Sequence, residues 1–232
     1  MAETDGHRDN MISLLHALKE RYREEPKVYI SGNIFLYYRD EAQERKSISP
    51  DVLVVFGIEK KRRRIYKLED EGKAPDVVFE LTSPTTKTED LGTKRYIYAS
   101  LGVREYFLFD PYAEALRPAL RGYRLDGSEY MPMMGTPFRS EVLGVDLRVE
   151  DDELRLYDSQ TGERLRTPEE TEAEHRMEKA ARRSAETARR IAEEKTAQEL
   201  AARKAAETKA AAAEAELARL REELAALRLM KS

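Results

Sequence analysis

Two carboxylates and a lysine are the side chains of this sequence best suited to chemistry. Asp51 opens the apolar run Val52–Phe56, and Glu80 closes a second apolar run that begins at Val77. If these runs are paired strands, both acids meet at one point on a sheet. Mg²⁺ prefers one or two carboxylates, with water and substrate phosphate completing its shell. Lys94 adds a fixed positive charge for a phosphate or for a water that loses its proton. These residue types predict metal-dependent phosphodiester hydrolysis.

The residues around the two acids form an ordered series. Its members are Pro50-Asp51, Ala74-Pro75-Asp76, Glu80 to Pro84, Thr85, Thr86, Asp90, Gly92, Lys94, Tyr98, Gly102 to Phe107 and Asp110-Pro111. The series resembles the Uma-type branch of the PD-(D/E)xK nuclease superfamily, over roughly residues 7–167 and most specifically over 74–111. The resemblance implies an α/β fold, with a restriction-endonuclease-like mixed sheet and flanking helices. It also implies a DNA endonuclease that uses Mg²⁺ or Mn²⁺.

The resemblance assigns roles to individual residues. Asp51 and Glu80 would hold the metal, and Lys94 would be the catalytic cation. The superfamily pattern places its lysine two residues after the second acid, but that position is Thr82. Lys94, on the following helix, is the natural replacement from a different backbone position. A second departure is the short N-terminus, which begins almost at the first helix, so we expect no preceding hairpin.

Asp76 competes with Asp51 for the role of the first acid, because it begins the strand that carries Glu80. Four residues along a strand span roughly 13 Å, which is too far for one metal ion. Asp76 is therefore predicted to be a turn or hydrogen-bonding residue.

Four further residues are candidates for supporting roles. Asp90 either caps the helix or orients Lys94 through an i,i+4 pair. Lys87 is the alternative cation. Glu20, on the first helix, could add a carboxylate to the metal, as a carboxylate from this helix does in some superfamily members. His7 falls where the resembling family tends to have a histidine.

The chain has one dense basic run, Lys60-Lys61-Arg62-Arg63-Arg64, on the connection between the two strands that carry the acids. The net charge of the chain is -4, which argues against DNA binding by the whole surface. DNA must then be attracted by a local patch. Lys61, Arg62, Arg63 and Arg64 are the best candidates, although charge runs are usually only solvated surface.

Composition excludes several classes of function. The chain has no cysteine, so disulfides and cysteine-based metal or redox sites are absent, and three histidines make a His₃ zinc centre implausible. No run reaches the apolar length of a membrane span, and no secretory segment follows Met1. We therefore expect a cytoplasmic protein that does not contact membranes.

The pattern of the chain predicts two domains, residues 1–167 and 168–232. A helix is expected at Asp9–Arg23, a hairpin over residues 28–38, strands near 51–57 and 77–82, and a helix from Thr88 to Leu101. A strand at Glu105–Phe109 follows. This order of elements is typical of an α/β core.

Beyond Pro168 the composition changes to alanine, glutamate, lysine and arginine, which predicts one long helix. Leu217, Leu220, Leu224 and Leu227 keep the spacing of a short zipper. We expect a homodimer through this C-terminal helix, with a helix that has no partner as the alternative. The same features leave two functions open. One is a dimeric DNA endonuclease, and the other is an inactive nuclease fold that presents a coiled-coil tail to a partner.

Overall fold

The structure, a computed structural model, describes residues 4–229. It forms two compact units, Met1–Glu172 and Ala173–Ser232. The helices are α1 (Asp5–Arg21), α2 (Leu68–Glu71), α3 (Lys87–Glu89), a π-helix (Asp90–Lys94), α4 (Arg95–Ser100) and α5 (Pro168–Leu229). The strands are β1 (Val28–Ser31), β2 (Leu36–Arg39), β3 (Arg45–Ile48), β4 (Val52–Phe56), β5 (Tyr66–Lys67), β6 (Val77–Leu81), β7 (Glu105–Phe109), β8 (Leu120–Asp126), β9 (Glu129–Pro132), β10 (Phe138–Ser140), β11 (Val145–Glu150) and β12 (Glu153–Asp158).

A six-stranded mixed sheet of order β1-β4-β6-β7-β8-β9 is the centre of the first unit. Strands β6 and β7 are parallel, and the other neighbours are antiparallel. A parallel pair requires a crossover, which the segment α3, π-helix and α4 provides. Two three-stranded sheets, β10-β11-β12 and β3-β2-β5, complete the unit. The predicted α/β class with a mixed sheet, flanking helices and a long C-terminal helix is confirmed.

The central strands are buried on both faces, as expected for a sheet covered on both sides. Val52 of β4 lies in one core with Leu14 and Leu18 of α1. Leu53, the next residue, lies in the second core with Tyr98 of α4. This alternation fixes which side chains of β4 and β6 face α4.

The predicted hairpin over residues 28–38 is wrong. Strand β1 pairs with β4 in the central sheet, whereas β2 pairs with β3 and β5 in another sheet. The turn residues between them let the chain pass from one sheet to the other. A Cβ on Gly32 would lie 2.5 Å from the backbone oxygen of Asp51, so glycine allows the close approach at this crossing.

The helix expected at Thr88–Leu101 forms in three pieces, with the π-helix in the middle. Such π-helical turns inside helices are frequently found at functional sites. Helix α4 ends where Gly102 takes a left-handed conformation, with φ of 80°, a conformation that commonly ends helices. The first helix, α1, begins four residues before its predicted start and ends two residues before its predicted end.

Helix α5 runs for 62 residues. Among its described side chains, Leu217, Leu220 and Leu224 are each more than half exposed. Leu227 lies outside the described side chains. Within residues 4–229, no helix is both long enough and apolar enough to cross a membrane.

Candidate active site

The register of the central sheet places the two predicted acids side by side. Val52 of β4 is opposite Phe79 of β6 in this antiparallel pair. Continuing this register one residue past the end of the ladder sets Asp51 opposite Glu80, on the face that carries α4, and the two carboxylates interact electrostatically. Directly opposed side chains have Cβ atoms about 5 Å apart. The N–H of Leu81 donates to Oδ2 of Asp51 at 2.7 Å, which fixes the carboxylate at this end of the sheet.

Glu80 is 1% exposed and is hydrogen-bonded at both oxygens. The Tyr98 hydroxyl donates to Oε1 at 2.6 Å, and Nζ of Lys94 donates to Oε2 at 2.9 Å. Both donors come from the crossover segment, Lys94 from the π-helix and Tyr98 from α4. The crossover between β6 and β7 therefore supplies the second half of the site.

Asp90 holds Lys94 from the other side. Its Oδ1 lies 2.9 Å from Nζ of Lys94, and its Oδ2 accepts the hydroxyl of Thr82 at 3.1 Å. Thr82 occupies the position at which the superfamily usually has its lysine. In this chain Thr82 instead hydrogen-bonds to Asp90, the acid that holds Lys94. The Tyr106 hydroxyl donates to the backbone carbonyl of Asp90 at 3.0 Å.

Burial and charge perturb the two central groups in opposite ways. Burial raises the pKa of Glu80 well above its usual value; Lys94 opposes this shift, whereas Asp51 and Asp90 add to it. Burial alone would lower the pKa of Lys94, but the charges and hydrogen bonds of Glu80 and Asp90 outweigh it, and the pKa is raised. Lys94 therefore stays protonated, and burial favours the neutral form of Glu80.

His7 lies on the opposite flank of the site, at the start of α1. Its Nε2 is 3.5 Å from Oδ1 of Asp51, and the two side chains are 18% and 14% exposed. The helix begins there because the Thr4 side chain accepts the N–H of His7 and caps it. The N-terminus of α1 thus reaches Asp51.

The acid cluster fits a hard divalent cation. The part of the chain that the structure describes contains no group of three or more His, Cys, Asp or Glu side chains arranged around a metal position. Mg²⁺ needs only one or two carboxylates, because water and substrate phosphate complete its shell. Asp51 and Asp90 both act on the Glu80 carboxylate, beside which Lys94 is the cation, and a divalent cation would offset part of this negative charge.

Two predicted supporting residues stand apart from the cluster. Glu20 is thirteen residues beyond His7 on α1, roughly 20 Å along the helix axis, and pairs with Arg23. It does not reach the acids, because α1 leads away from them. Lys87 is exposed at the start of α3, while Lys94 occupies the position beside Glu80.

The basic run lies at the far end of the sheet. Asp51 precedes β4 and the run follows it, so six residues of extended chain, roughly 20 Å, separate Asp51 from Gly57. Nζ of Lys60 donates to the carbonyls of Tyr22 and Arg23, just beyond the C-terminal end of α1. The run is therefore on the connection between the acid-bearing strands, but away from the acids.

Arg63 differs from the rest of the run. Its side chain is 4% exposed, forms two hydrogen bonds to Glu71 at 2.7 and 2.8 Å, and lies over the Tyr29 ring at 4.3 Å. Lys61, Arg62 and Arg64 are exposed. The expectation that Arg63 faces DNA fails in this geometry, because its guanidinium is used inside the fold.

Three groups contact the acids of the site although the sequence did not predict these contacts: the Tyr98 hydroxyl, Thr82 and Tyr106. Tyr98 stands in the ordered series of residues, but the sequence assigns it no contact with the acids. Its polar tip, four residues after Lys94 on the same helical segment, is the signal that could have placed it beside Glu80.

Comparison with known proteins shows that a family model matches this chain. The model of the Uma2 family, described as "Putative restriction endonuclease", matches residues 1–147. A crystal structure described as a putative nuclease belonging to DUF820, from Anabaena variabilis ATCC 29413, is similar with a TM-score of 0.47 and 14% identity. The similarity covers 62% of this chain and 76% of that chain. No curated protein matches.

Proposed function

This chain belongs to the Uma2 family, described as "Putative restriction endonuclease", and from that premise we propose that it is a metal-dependent endonuclease that hydrolyses phosphodiester bonds in DNA. One observation carries the proposal. Asp51 and Glu80 oppose each other at one end of the sheet, and Nζ of Lys94 lies 2.9 Å from Glu80. A pair of carboxylates beside a held lysine is suited to phosphoryl chemistry.

Asp51 and Glu80 would hold Mg²⁺ or Mn²⁺ through carboxylate oxygens. When bound there, the ion would polarise the scissile phosphate and lower the pKa of the attacking water. His7 lies beside Oδ1 of Asp51 and would orient that carboxylate.

Lys94 would supply the fixed positive charge of the site. Its ammonium group would stabilise the charge that develops on the phosphate, or hold the attacking water. Asp90 keeps this ammonium group in place, and Tyr98 keeps the Glu80 carboxylate turned toward it. Asp90 and Tyr98 are therefore positioning residues, since neither needs to touch DNA.

DNA would contact the exposed members of the basic run, Lys61, Arg62 and Arg64. A chain with a net charge of -4 needs a local cationic surface to attract a polyanion. Because the run follows Gly57, which lies roughly 20 Å along the extended chain from Asp51, it would bind DNA away from the bond that is cut.

Homodimerisation through α5 would place two sites in one particle, which suits cleavage of both strands. The exposed Leu217, Leu220 and Leu224 support such an association, because they repeat at the spacing of a coiled-coil seam.

The same leucines favour one alternative function, an inactive nuclease fold that acts through its tail. Thermal unfolding with and without Mg²⁺ or Mn²⁺ separates the two. An enzyme should gain a higher unfolding temperature with metal, and Asp51→Ala and Glu80→Ala should lose that gain. Glu89→Ala, at an exposed acid on α3, is the matched control. A folded wild-type protein that metal does not protect would favour the interaction protein.

A further inference from the structure

We propose that Phe35 and Tyr112 are stacking surfaces for unpaired bases, so that the substrate of this site is DNA with single-stranded nucleotides at the cleavage position. The inference deepens the proposed nuclease function and rests on it. It begins with three aromatic side chains that are more than half exposed among the described residues: Phe35, Tyr96 and Tyr112.

Two of these three follow the strands that lie on either side of the acid-bearing strands. At the end of the central sheet that carries the acids, β1 ends, β4 begins, and both β6 and β7 end. Phe35 follows β1 on one flank, and Tyr112 follows β7 on the other. Three interstrand spacings of about 4.8 Å separate those outer strands, or roughly 14 Å. Phe35 and Tyr112 thus follow the two outer strands of the four whose ends meet at the acids.

The backbone ties Phe35 to the acid site. The N–H of Asn33 donates to the carbonyls of Pro50 and Asp51 at 3.1 and 3.3 Å, and Phe35 follows two residues later. The carbonyl of Phe35 accepts the N–H of Tyr66 at 2.8 Å. The main chain is therefore held on both sides of the ring, while the ring itself is 54% exposed.

Tyr112 is held as firmly on the other flank. The buried Asp110 carboxylate accepts the N–H groups of Tyr112, Ala115 and Leu116, which shapes the loop after β7. The Tyr112 hydroxyl accepts the N–H of Gly6 at 3.2 Å, next to His7, which lies beside Asp51. A Cβ on Gly6 would approach Cζ of the ring to 3.0 Å, so this part of Tyr112 packs closely on α1.

An exposed aromatic ring that the backbone holds in place loses little conformational entropy on binding. Stacking of a base on such a ring contributes about 1–3 kcal/mol, whichever the base. In an intact duplex the base faces are already stacked on each other, so these rings would gain nothing from it. The arrangement therefore selects frayed, branched or single-stranded DNA.

The test measures binding of the full-length protein to a fluorescein-labelled 12-nucleotide oligo(dT) and to a blunt 12-base-pair duplex. Ca²⁺ replaces Mg²⁺ to limit cleavage. Phe35→Ala and Tyr112→Ala should each weaken binding to the single strand about tenfold and leave duplex binding unchanged. Tyr96→Ala, at a residue that is 62% exposed, should have no effect. Tyr112→Phe keeps the ring without its hydrogen bond and should bind like the wild type.

A second readout follows from composition, because the chain has no tryptophan. Phe35→Trp introduces a single fluorescent reporter. Binding of oligo(dT) should quench the fluorescence of this tryptophan, whereas the duplex should leave it unchanged. Equal losses on both DNAs, no loss in the alanine variants, or no measurable binding of oligo(dT) by the wild type would overturn the inference. Duplex cleavage that persists in those cases leaves the nuclease proposal intact. Stacking without any cleavage would contradict both the nuclease and the assigned substrate, and would leave only a surface that binds single strands.

Discussion

Glu80 is the residue on which the chemistry of the site depends. Its carboxylate is buried, lies opposite Asp51, and shares Lys94 with Asp90. Burial first, and then the two neighbouring acids, raise its pKa, whereas Lys94 opposes the shift. A proton and a metal ion would therefore compete for the same carboxylate. The site should bind metal more tightly as pH rises.

The raised pKa makes a prediction for the metal-free protein. Between the usual value of 4.5 and the higher value of the folded state, the folded chain holds a proton on Glu80 that the unfolded chain has released. The free energy of unfolding should therefore fall as pH rises through this window. Urea denaturation at a series of pH values measures it. Glu80→Gln should flatten that part of the profile; an unchanged slope would contradict the account.

Part of the candidate site could be predicted from the sequence, and part could not. Asp51 and Glu80 end two apolar runs, and alternation along paired strands is enough to bring them together. The contacts of Asp90 with Thr82 and Lys94 depend on the π-helix between α3 and α4. No local sequence pattern predicts this π-helix, since its residues also suit an ordinary α-helix.

At the scale of elements, the passage from β1 to β2 positions the first acid. Local turn residues suggested a hairpin, because Ser31-Gly32-Asn33 suits either a tight turn or a change of sheet. The choice is made by long-range pairing of β1 with β4, which local composition does not encode. The predicted strands β4, β6 and β7 formed because their buried apolar runs have few alternatives.

Gly32→Ala tests this crossing. The added Cβ would lie 2.5 Å from the Asp51 backbone oxygen and 2.9 Å from a Leu15 methyl carbon, so the chain must shift. We expect a loss of about 1–3 kcal/mol in unfolding free energy and weaker metal protection, because Asp51 moves. Gly92→Ala is the control, since nothing lies within 4 Å of its Cβ. Equal unfolding free energies in the two variants would contradict this account of Gly32.

The basic run separates into a structural arginine and a candidate DNA surface. Arg63→Ala leaves Glu71 without its partner in a largely buried pair, and should cost about 3 kcal/mol of stability. Arg62→Ala with Arg64→Ala should change stability by less than about 1 kcal/mol. That double variant should also lower the salt dependence of DNA binding by roughly two phosphate contacts. Urea denaturation and salt titrations of binding measure the two effects. An unaltered salt slope would remove the run from the DNA surface.

At the scale of the whole molecule, the C-terminal helix α5 stands out. The packing within one chain does not explain its role. Its exposed leucines repeat near the C-terminal end, whereas Ile191 and Leu200 stand outside that repeat. Within one chain these side chains face water, and a second copy would bury them.

Sedimentation velocity of the full chain tests this association. The wild type should sediment as a dimer, and Leu220→Lys with Leu224→Lys should sediment as a monomer, because two charges would face each other across the seam. Leu200→Lys adds a charge outside the seam and should remain dimeric. A monomeric wild type at micromolar concentration would contradict the coiled-coil tail.

The central claim is that Asp51, Glu80 and Lys94 form a metal-dependent nuclease site. The most direct test is cleavage of supercoiled plasmid, measured with Mg²⁺ or Mn²⁺ and again with EDTA. It compares the wild type with Glu80→Gln, which keeps the shape of the side chain and removes its charge. The account predicts nicked and linear products for the wild type only with metal, and at least a hundredfold slower cleavage by the folded variant, on the order of the loss of one charged catalytic group. Equal cleavage by the wild type and Glu80→Gln, or cleavage that continues in EDTA, would contradict it.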